Sequence, residues 1–241
     1  MVPAALYRST PEMWIPAGKF RQLYYRICIE YGTLGADMKK LAYDFYNRAD
    51  VLTIARELLG KVLVTRFNGV ATAGRIVETE AYAGVNDRAS HAYGGRRTAR
   101  TEVMYGRPGT AYVYLCYGIH HLFNVVTNRE EVPHAVLIRA IAPLQGIPGM
   151  LLRTGRSKPD HSLGRGPGNV SRALGITTRY TGWNLASREI FIAQDGCTPA
   201  AGEIAVTPRI GVDYAGADAL LPYRFILKDS PYVSGKKQFR S

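Results

Sequence analysis

The sequence has few cysteines and no long apolar segment, and both absences exclude classes of protein. Only three of its 241 residues are cysteines, scattered at Cys28, Cys116 and Cys197 without CxxC spacing. This pattern predicts neither a disulfide framework nor a zinc knuckle. No apolar run approaches the roughly 18–20 residues of a membrane-spanning helix. Arginine, lysine and prolines interrupt the first twenty residues, which is untypical of a signal peptide. We therefore expect a cytoplasmic protein in a reducing environment.

Motifs for metals, nucleotides and serine nucleophiles are also missing. His120 and His121 are adjacent, so in a strand they point to opposite faces and cannot share a metal. His134 and His161 have no partner at ligand spacing, and no GxSxG, Walker or dinucleotide fingerprint occurs. The sequence therefore predicts no metal site and no cofactor. The segment GRGPGN at 164–169 either presents N–H groups to a phosphate or forms a simple turn.

Positive charge is what the sequence has in excess. There are 31 Lys and Arg against 19 Asp and Glu, a formal net charge of +12. Such a surplus favours nucleic acid or an anionic membrane surface as partner. The basic residues concentrate in two glycine-containing loops, 88–107 and 153–179. No basic amphipathic helix supports the membrane alternative. An ordinary solvated basic surface is the other interpretation, but two such loops favour nucleic acid.

Short strands joined by turns dominate the predicted secondary structure. Helical spacing predicts a helix from Asp50 to Leu59, with Asp50 as N-cap and Gly60 as its end; further helices are predicted at 169–176 and near Gly149–Arg153. The predicted strands are 61–67, 74–82, 110–117, 121–127, 134–143, 203–211 and 223–229. Because they do not alternate with helices, we expect a single mixed α+β domain rich in antiparallel strands.

The first 37 residues differ from the rest of the chain. They contain several aromatic residues but show no clear helical or strand period. A regular domain begins at Met38, so we expect a catalytic domain at 38–241 and an N-terminal extension at 1–37 that is unstructured or not translated. The alternative is an ordinary first helix around Lys19–Tyr31.

Two carboxylates in the predicted strand 74–82 are the first candidate for chemistry. Strand alternation places Ile76, Glu78, Glu80 and Tyr82 on one face. A carboxylate against apolar surface loses solvation, which raises its affinity for protons, and it can then act as a general base for water. The alternative is that Glu78 and Glu80 each pair with an arginine on a neighbouring strand.

The predicted hairpin 110–127 supplies aromatic side chains. Tyr112 and Tyr114 share a face, and Tyr117 stands at the turn beside Gly118. Aromatic surfaces hold an extruded base, and a protruding wedge can unstack a base step. The alternative is that these tyrosines are simply good strand formers.

Four segments together strongly resemble the alkyladenine (3-methyladenine) DNA glycosylases: GRIVETEAYAGVNDRASHAYGG, RPGTAYVYLCYGIHHLFNVVT, AVLIRAIAPLQG and GPGNVSRALGI. The resemblance runs from about Phe45 to Ser234 and leaves out residues 1–37. It implies a single domain built around a curved antiparallel β-sheet with flanking helices and no catalytic metal.

The resemblance also implies roles for individual residues. Glu80 would activate the attacking water, Arg139 would support the site near the sugar-phosphate, and Tyr117 would fill the space left by the flipped nucleotide. The base pocket would be formed by Tyr82, His91, Tyr114 and Asn124. Contacts to the DNA backbone are expected from the basic loops, at Arg96, Arg97, Arg100 and Arg165.

These observations predict a base-excision-repair DNA glycosylase that flips damaged purines out of double-stranded DNA and hydrolyses the N-glycosidic bond. No lysine lies in the motif blocks of the pocket, so we expect a monofunctional enzyme that leaves an abasic site. We expect a monomer without membrane contact, associated with the nucleoid if the source is bacterial. The alternative is a non-catalytic, basic nucleic-acid-binding protein.

Overall fold

One antiparallel sheet runs through residues 38–235, the part of the chain that the computed structural model describes. The expectation for residues 1–37, and the last residues of the expected domain 38–241, lie outside this range. Within it the sheet has nine strands: β1 Lys39–Lys40, β2 Val62–Phe67, β3 Val70–Tyr82, β4 Ala111–Cys116, β5 His120–Thr127, β6 His134–Gln145, β7 Ile190–Gln194, β8 Ile204–Thr207 and β9 Arg224–Leu227.

The order of the strands places β3 at the centre of the sheet. The main path is β1-β7-β2-β3-β6-β5-β4, and β9 joins β3 while β8 joins β9. On one edge of β3, β2 pairs with the first half and β9 with Glu78–Glu80. On the other edge, β6 pairs along most of the length. Both carboxylates of β3 are therefore enclosed between β6 and β9.

Irregular pairing between β3 and β6 re-aims side chains at this point. The register steps from Ile76–Ile141 to Glu78–Ala140 and then to Thr79–Ile138. Val77 and Arg139 are thus each left without an opposite residue, as in β-bulges, which often redirect side chains beside active sites. The predicted alternation of faces accordingly does not extend to Ile76, which belongs to the same apolar core cluster as Val77.

Short helices pack on the sheet. They are α1 Tyr43–Tyr46, α2 Val51–Glu57, α3 Ile147–Thr154 and α4 Pro167–Leu174. Helix α2 packs on β3 and β6, and α4 packs on β5 and β6 beside α3. At the start of α2, the Asp50 carboxylate accepts from the N–H groups of Leu52 and Thr53, as its predicted role of N-cap requires. None of the helices in residues 38–235 is long and apolar enough to cross a membrane.

The predicted α+β class is confirmed, and the differences are local. Each predicted strand has a counterpart, but the strand expected at 203–211 ends at Thr207, where Pro208 follows and removes a backbone donor. The strands β1 and β7 and the helix α1 were not predicted, because each is short and carries only weak periodicity.

Candidate active site

Glu78, the first carboxylate of the pair on β3, is fully occupied by hydrogen bonds. Arg139 Nε and Arg224 Nε donate to its Oε1 at 3.0 and 2.7 Å. Ser234 donates to both oxygens through its hydroxyl, and its N–H reaches Oε2 at 2.7 Å. The side chain is completely buried. For Glu78 the expected alternative, pairing with arginines on neighbouring strands, is what the structure shows.

Glu80 is equally buried but less completely occupied. Its Oε2 accepts from the Tyr82 hydroxyl at 2.9 Å and from Arg139 Nη1 at 3.2 Å. Its Oε1 accepts from the N–H of Ile210 at 2.7 Å, the one donor that residues 38–235 are found to provide there. The carboxylate is therefore held in place, yet Oε1 keeps an acceptor position for one more donor.

Arg139 joins the two carboxylates from the bulge in β6. Burial alone would lower the pKa of Arg139, but the negative charges of Glu80 and Glu78 outweigh burial and raise the pKa above its ordinary value. The guanidinium therefore remains charged. Because the rigid guanidinium of Arg139 contacts both carboxylates, it fixes the side chain of Glu80 relative to that of Glu78.

A cleft bordered by Tyr82 opens close to Glu80. It is lined by all four residues expected in the base pocket, Tyr82, His91, Tyr114 and Asn124, together with Ala89, Ser90, Met104, Tyr112, Ala135 and Tyr214. Glu80 lies one hydrogen bond behind this lining, because the Tyr82 hydroxyl that contacts it belongs to the wall. No lysine is among the lining residues.

Hydrogen bonds hold the aromatic wall of the cleft in place. His91 Nδ1 is 2.8 Å from the Tyr112 hydroxyl, and the ring of His91 meets that of Tyr114 edge to face at 4.6 Å. The Asn124 amide donates to the carbonyls of Tyr112 and Leu122 at 3.1 and 3.2 Å. The surface that would meet a base is therefore rigid before any base arrives.

His91 is neutral at physiological pH. Burial, with the positive charges of Arg100 and Arg96, lowers the pKa of His91 to about 4. Arg100 Nη2 lies 3.3 Å from Nε2 of His91. Since arginine can only donate, Nε2 accepts, and the single ring proton resides on Nδ1, which donates to Tyr112. The cleft consequently presents no imidazolium charge to a ligand.

Tyr117 protrudes from the tip of the β4–β5 hairpin. The turn is closed by the Ile119 N–H, which donates to the Cys116 carbonyl at 3.1 Å. Both central residues, Tyr117 at φ 51° and Gly118 at φ 71°, have the left-handed backbone that type I′ hairpin turns use. The Tyr117 side chain is 90% exposed and the neighbouring Ile119 is 73% exposed. The tip is thus an unpacked apolar projection.

Two of the four arginines expected at the DNA backbone already have strong partners. Arg97 forms ion pairs with Glu102 at 2.7 Å and Glu131 at 2.5 Å. Arg165 is half-buried and donates to the carbonyl of Pro231. Either guanidinium would have to share or exchange these partners to bind a phosphate.

The other two arginines border the cleft. Arg96, with Arg88 and Tyr93, lines an open groove that adjoins the cleft and shares Ser90, His91 and Tyr214 with it. Arg100 lies over the ring of Tyr114, 4.7 Å from its centre. Positive charge is therefore concentrated at the entrance of the cleft.

A buried ion pair that the sequence does not reveal joins the two loops around the site. Arg209 Nη1 and Nη2 donate to the two oxygens of Asp87 at 2.5 and 2.8 Å, and both side chains are inaccessible to solvent. Asp87 also accepts from the N–H groups of Ala83 and Ala89, in the loop that leads to His91. The pair thus links this loop to the segment that brings Ile210 to Glu80.

Sequence reasoning missed this pair, the Ile210 N–H and Tyr214. The only available signals were an aspartate in the loop after β3 and an arginine after Pro208, over 120 residues apart. No group of three or more His, Cys, Asp or Glu in residues 38–235 is arranged to hold a metal ion.

Comparison with known proteins gives a consistent result. The family model described as methylpurine-DNA glycosylase matches residues 44–231. A Chlamydia abortus protein is 50% identical over 188 residues, covering 78% of this chain and 97% of that protein. A Desulfitobacterium hafniense protein is 46% identical over 208 residues, covering 83% and 100%. A Methanocella arvoryzae protein is 48% identical over 198 residues, covering 82% and 96%. All three carry provisional names as 3-methyladenine DNA glycosylases.

Proposed function

Since the chain belongs to the methylpurine-DNA glycosylase family, we propose that Glu80 activates the water that releases a damaged purine from an extruded nucleotide. The protein is a hydrolytic DNA glycosylase of base excision repair. The observation that carries the role of Glu80 is the unequal occupancy of the two carboxylates. Glu78 is saturated by two arginines and Ser234, whereas Oε1 of Glu80 accepts only the Ile210 N–H among the described contacts.

The proposed reaction is a simple hydrolysis. Alkylation at N3 or N7 makes a purine cationic, so it leaves readily with the electron pair of the N-glycosidic bond. The sugar then develops oxocarbenium character, as in other glycosyl cleavage. Water attacks C1′ and gives its proton to Glu80, whose negative charge also stabilises the positive sugar. The products are the free base and an abasic site.

The cleft would hold the base by stacking. The rings of Tyr82, His91 and Tyr114 border it, and aromatic faces are favourable partners for a cationic ring. Because His91 is neutral, it does not repel the positive charge of an alkylated purine. Asn124 would form the floor. Arg139 would support the site near the sugar-phosphate through its hold on Glu80.

We propose double-stranded DNA with damaged purines as the partner, with Tyr117 as the wedge that fills the space left by the flipped nucleotide. Arg96 and Arg100, which border the cleft entrance, support contact with the backbone there. We propose that the protein acts as a monomer. A DNA substrate in turn supports a cytoplasmic location, at the chromosome.

The test replaces Glu80 with glutamine, which keeps the size of the side chain but removes the base. Single-turnover base release should fall by about 10²–10⁴-fold, the usual contribution of a general base, while binding to the lesion is retained. Glu78→Gln is the matched control, with unfolding monitored because Glu78 is buried. Its folded fraction should release base faster than Glu80→Gln.

Two results would contradict the proposal. Release by Glu80→Gln within threefold of wild type would exclude Glu80 as the base. Absence of abasic product from alkylated DNA with the wild type would favour the alternative, a non-catalytic nucleic-acid-binding protein. An abasic strand without a nick would agree with monofunctional activity, since the lyase activity of a bifunctional glycosylase proceeds through an amine nucleophile at the sugar.

A further inference from the structure

Tyr214 is an exposed aromatic residue on a firmly anchored backbone. It lies in the 3₁₀ segment Asp213–Leu220, and its neighbours Val212 and Ala215 are buried against Ala89. The ring itself is 70% exposed. Its hydroxyl donates to the Ala89 carbonyl at 3.1 Å, in the loop that leads to His91. The ring is therefore fixed in position without being part of the apolar core.

This ring borders both cavities of the site. Tyr214 lines the cleft that holds Tyr82 and Tyr114, and it also lines the adjoining basic groove with Arg88 and Arg96. Tyr82, Tyr112 and Tyr114 of the lining belong to strands of the sheet, whereas Tyr214 comes from a separate 3₁₀ segment. At 70% exposure it is the most exposed aromatic residue of the lining, so it forms the open side. With Ser90 and His91, Tyr214 is one of the three residues that the cleft and the groove share.

Resting on the function proposed above, we propose that Tyr214 is a specificity-determining residue that contacts the extruded base on the open side of the cleft. Tyr82, Tyr112 and Asn124 of the other walls are strand residues held by hydrogen bonds within the site. Tyr214 is held at the exposed edge of the cleft by its hydrogen bond to Ala89. The position of Tyr214 therefore sets the width of the cleft that is available to the base. An aromatic ring there adds stacking area, but this area contributes binding energy only when a base lies against the ring.

A base contact and a backbone contact have different signatures. Replacing a residue that touches only sugar or phosphate lowers kcat/KM for every lesion by the same factor, so the ratio of kcat/KM values between lesions does not change. A residue that touches the base changes those ratios. Tyr93 provides the matched control: it is an exposed tyrosine that lines the groove but is not among the residues lining the cleft.

The experiment uses duplex DNA treated with a methylating agent, which carries 3-methyladenine and 7-methylguanine in the same molecules. The full-length wild type, Tyr214→Ala, Tyr214→Phe and Tyr93→Ala are each incubated with it. Released bases are separated by chromatography and corrected for release with Glu80→Gln. Internal competition makes the ratio of initial rates equal to the ratio of kcat/KM values.

For Tyr214→Ala we expect the ratio of 7-methylguanine to 3-methyladenine to rise by about threefold or more, within the range that one pocket contact supplies. The larger guanine, with its 2-amino group, depends less on a close wall. If the wild type releases 3-methyladenine alone, the expected result is new release of 7-methylguanine. Tyr214→Phe, which loses only the hydroxyl, should stay closer to wild type, and Tyr93→Ala should leave the ratio unchanged.

An unchanged ratio in Tyr214→Ala, or an equal change in Tyr93→Ala, would overturn the assignment. Either result would be separate from a failure of the proposed function, which would show as no enzymatic release by the wild type or as full release by Glu80→Gln. Because Tyr214 is 70% exposed, its replacement should leave the fold intact, and a melting curve of each variant checks this.

Discussion

Replacing Asp87 with asparagine should destabilise the protein and slow base release, although Asp87 is not expected to touch DNA. Its carboxylate accepts four hydrogen bonds: two from Arg209 and one each from the N–H groups of Ala83 and Ala89. Asparagine keeps one acceptor oxygen but directs an NH₂ group at donors. Arg209, whose side chain is inaccessible to solvent, would then be a buried charge without its counterion.

The expected magnitude follows from this burial. Breaking a buried ion pair by removing one charge typically costs about 3–5 kcal/mol. The retained amide oxygen places Asp87→Asn at the lower end, about 3 kcal/mol. For a protein of this size that corresponds to a decrease in Tm of about 6–12 °C.

The effect on activity has a geometric cause. Arg209 precedes Ile210, whose N–H donates to Glu80 at 2.7 Å. A shift of this segment would move the carboxylate that we assign as base, and small misplacements of reacting groups cost up to about a hundredfold in rate. We expect single-turnover release by Asp87→Asn, measured well below its Tm, to fall by about tenfold or more.

Calorimetry and single-turnover release of base should be measured on Asp87→Asn and on a matched control, Glu57→Gln. Glu57 pairs with Arg48 at 2.6 Å, but both side chains are more than one-third exposed, so its loss should cost about 0–1 kcal/mol and leave release unchanged. If Asp87→Asn melted as close to wild type as Glu57→Gln, the charge of Arg209 would not depend on Asp87. The assigned link between the loops would then be wrong.

Two further predictions concern DNA binding. Tyr117→Ala should weaken the flipped complex, measured by the fluorescence of an ethenoadenine lesion, and the penalty should shrink when the lesion lies opposite a gap; full flipping in the variant would make Tyr117 a structural residue only. If the basic loops 88–107 and 153–179 follow phosphates, affinity for undamaged duplex should fall with salt with a log–log slope of about −0.9 per contact. Binding that is insensitive to salt would remove the electrostatic basis of the DNA interpretation.

Local sequence patterns were sufficient for most of the strands and for one face of the site, but not for β1, β7 and α1. Alternation along β3 placed Glu78, Glu80 and Tyr82 together, and the Tyr82 hydroxyl is indeed 2.9 Å from Glu80. Turn chemistry likewise predicted an exposed Tyr117 beside Gly118. These features depend on residues close in sequence, where the period of a strand or the needs of a tight turn decide the outcome.

Features that depend on distant pairing could not be read in this way. The sequence alone does not show that the register of β3 and β6 shifts on both sides of Glu78, which is what directs Arg139 between Glu78 and Glu80. Strand alternation does not distinguish the two carboxylates either: only the resemblance singles out Glu80, because the saturation of Glu78 requires Ser234 from the far end of the described chain. Strand pairing over such separations depends on the packing of the whole sheet.

The aromatic residues of the site differ in how many new contacts they can form when DNA binds. Tyr82, Tyr112 and Tyr114 are packed or hydrogen-bonded already, so a base meets them at little cost in ordering. Tyr117 and Tyr214 are 90% and 70% exposed, so most of their surface can gain contacts only in the complex. Contacts of that kind are the ones able to offset the cost of unstacking a base, a few kcal/mol. The buried tyrosines therefore define the shape that is recognised, while the two exposed rings supply binding energy that depends on extrusion itself.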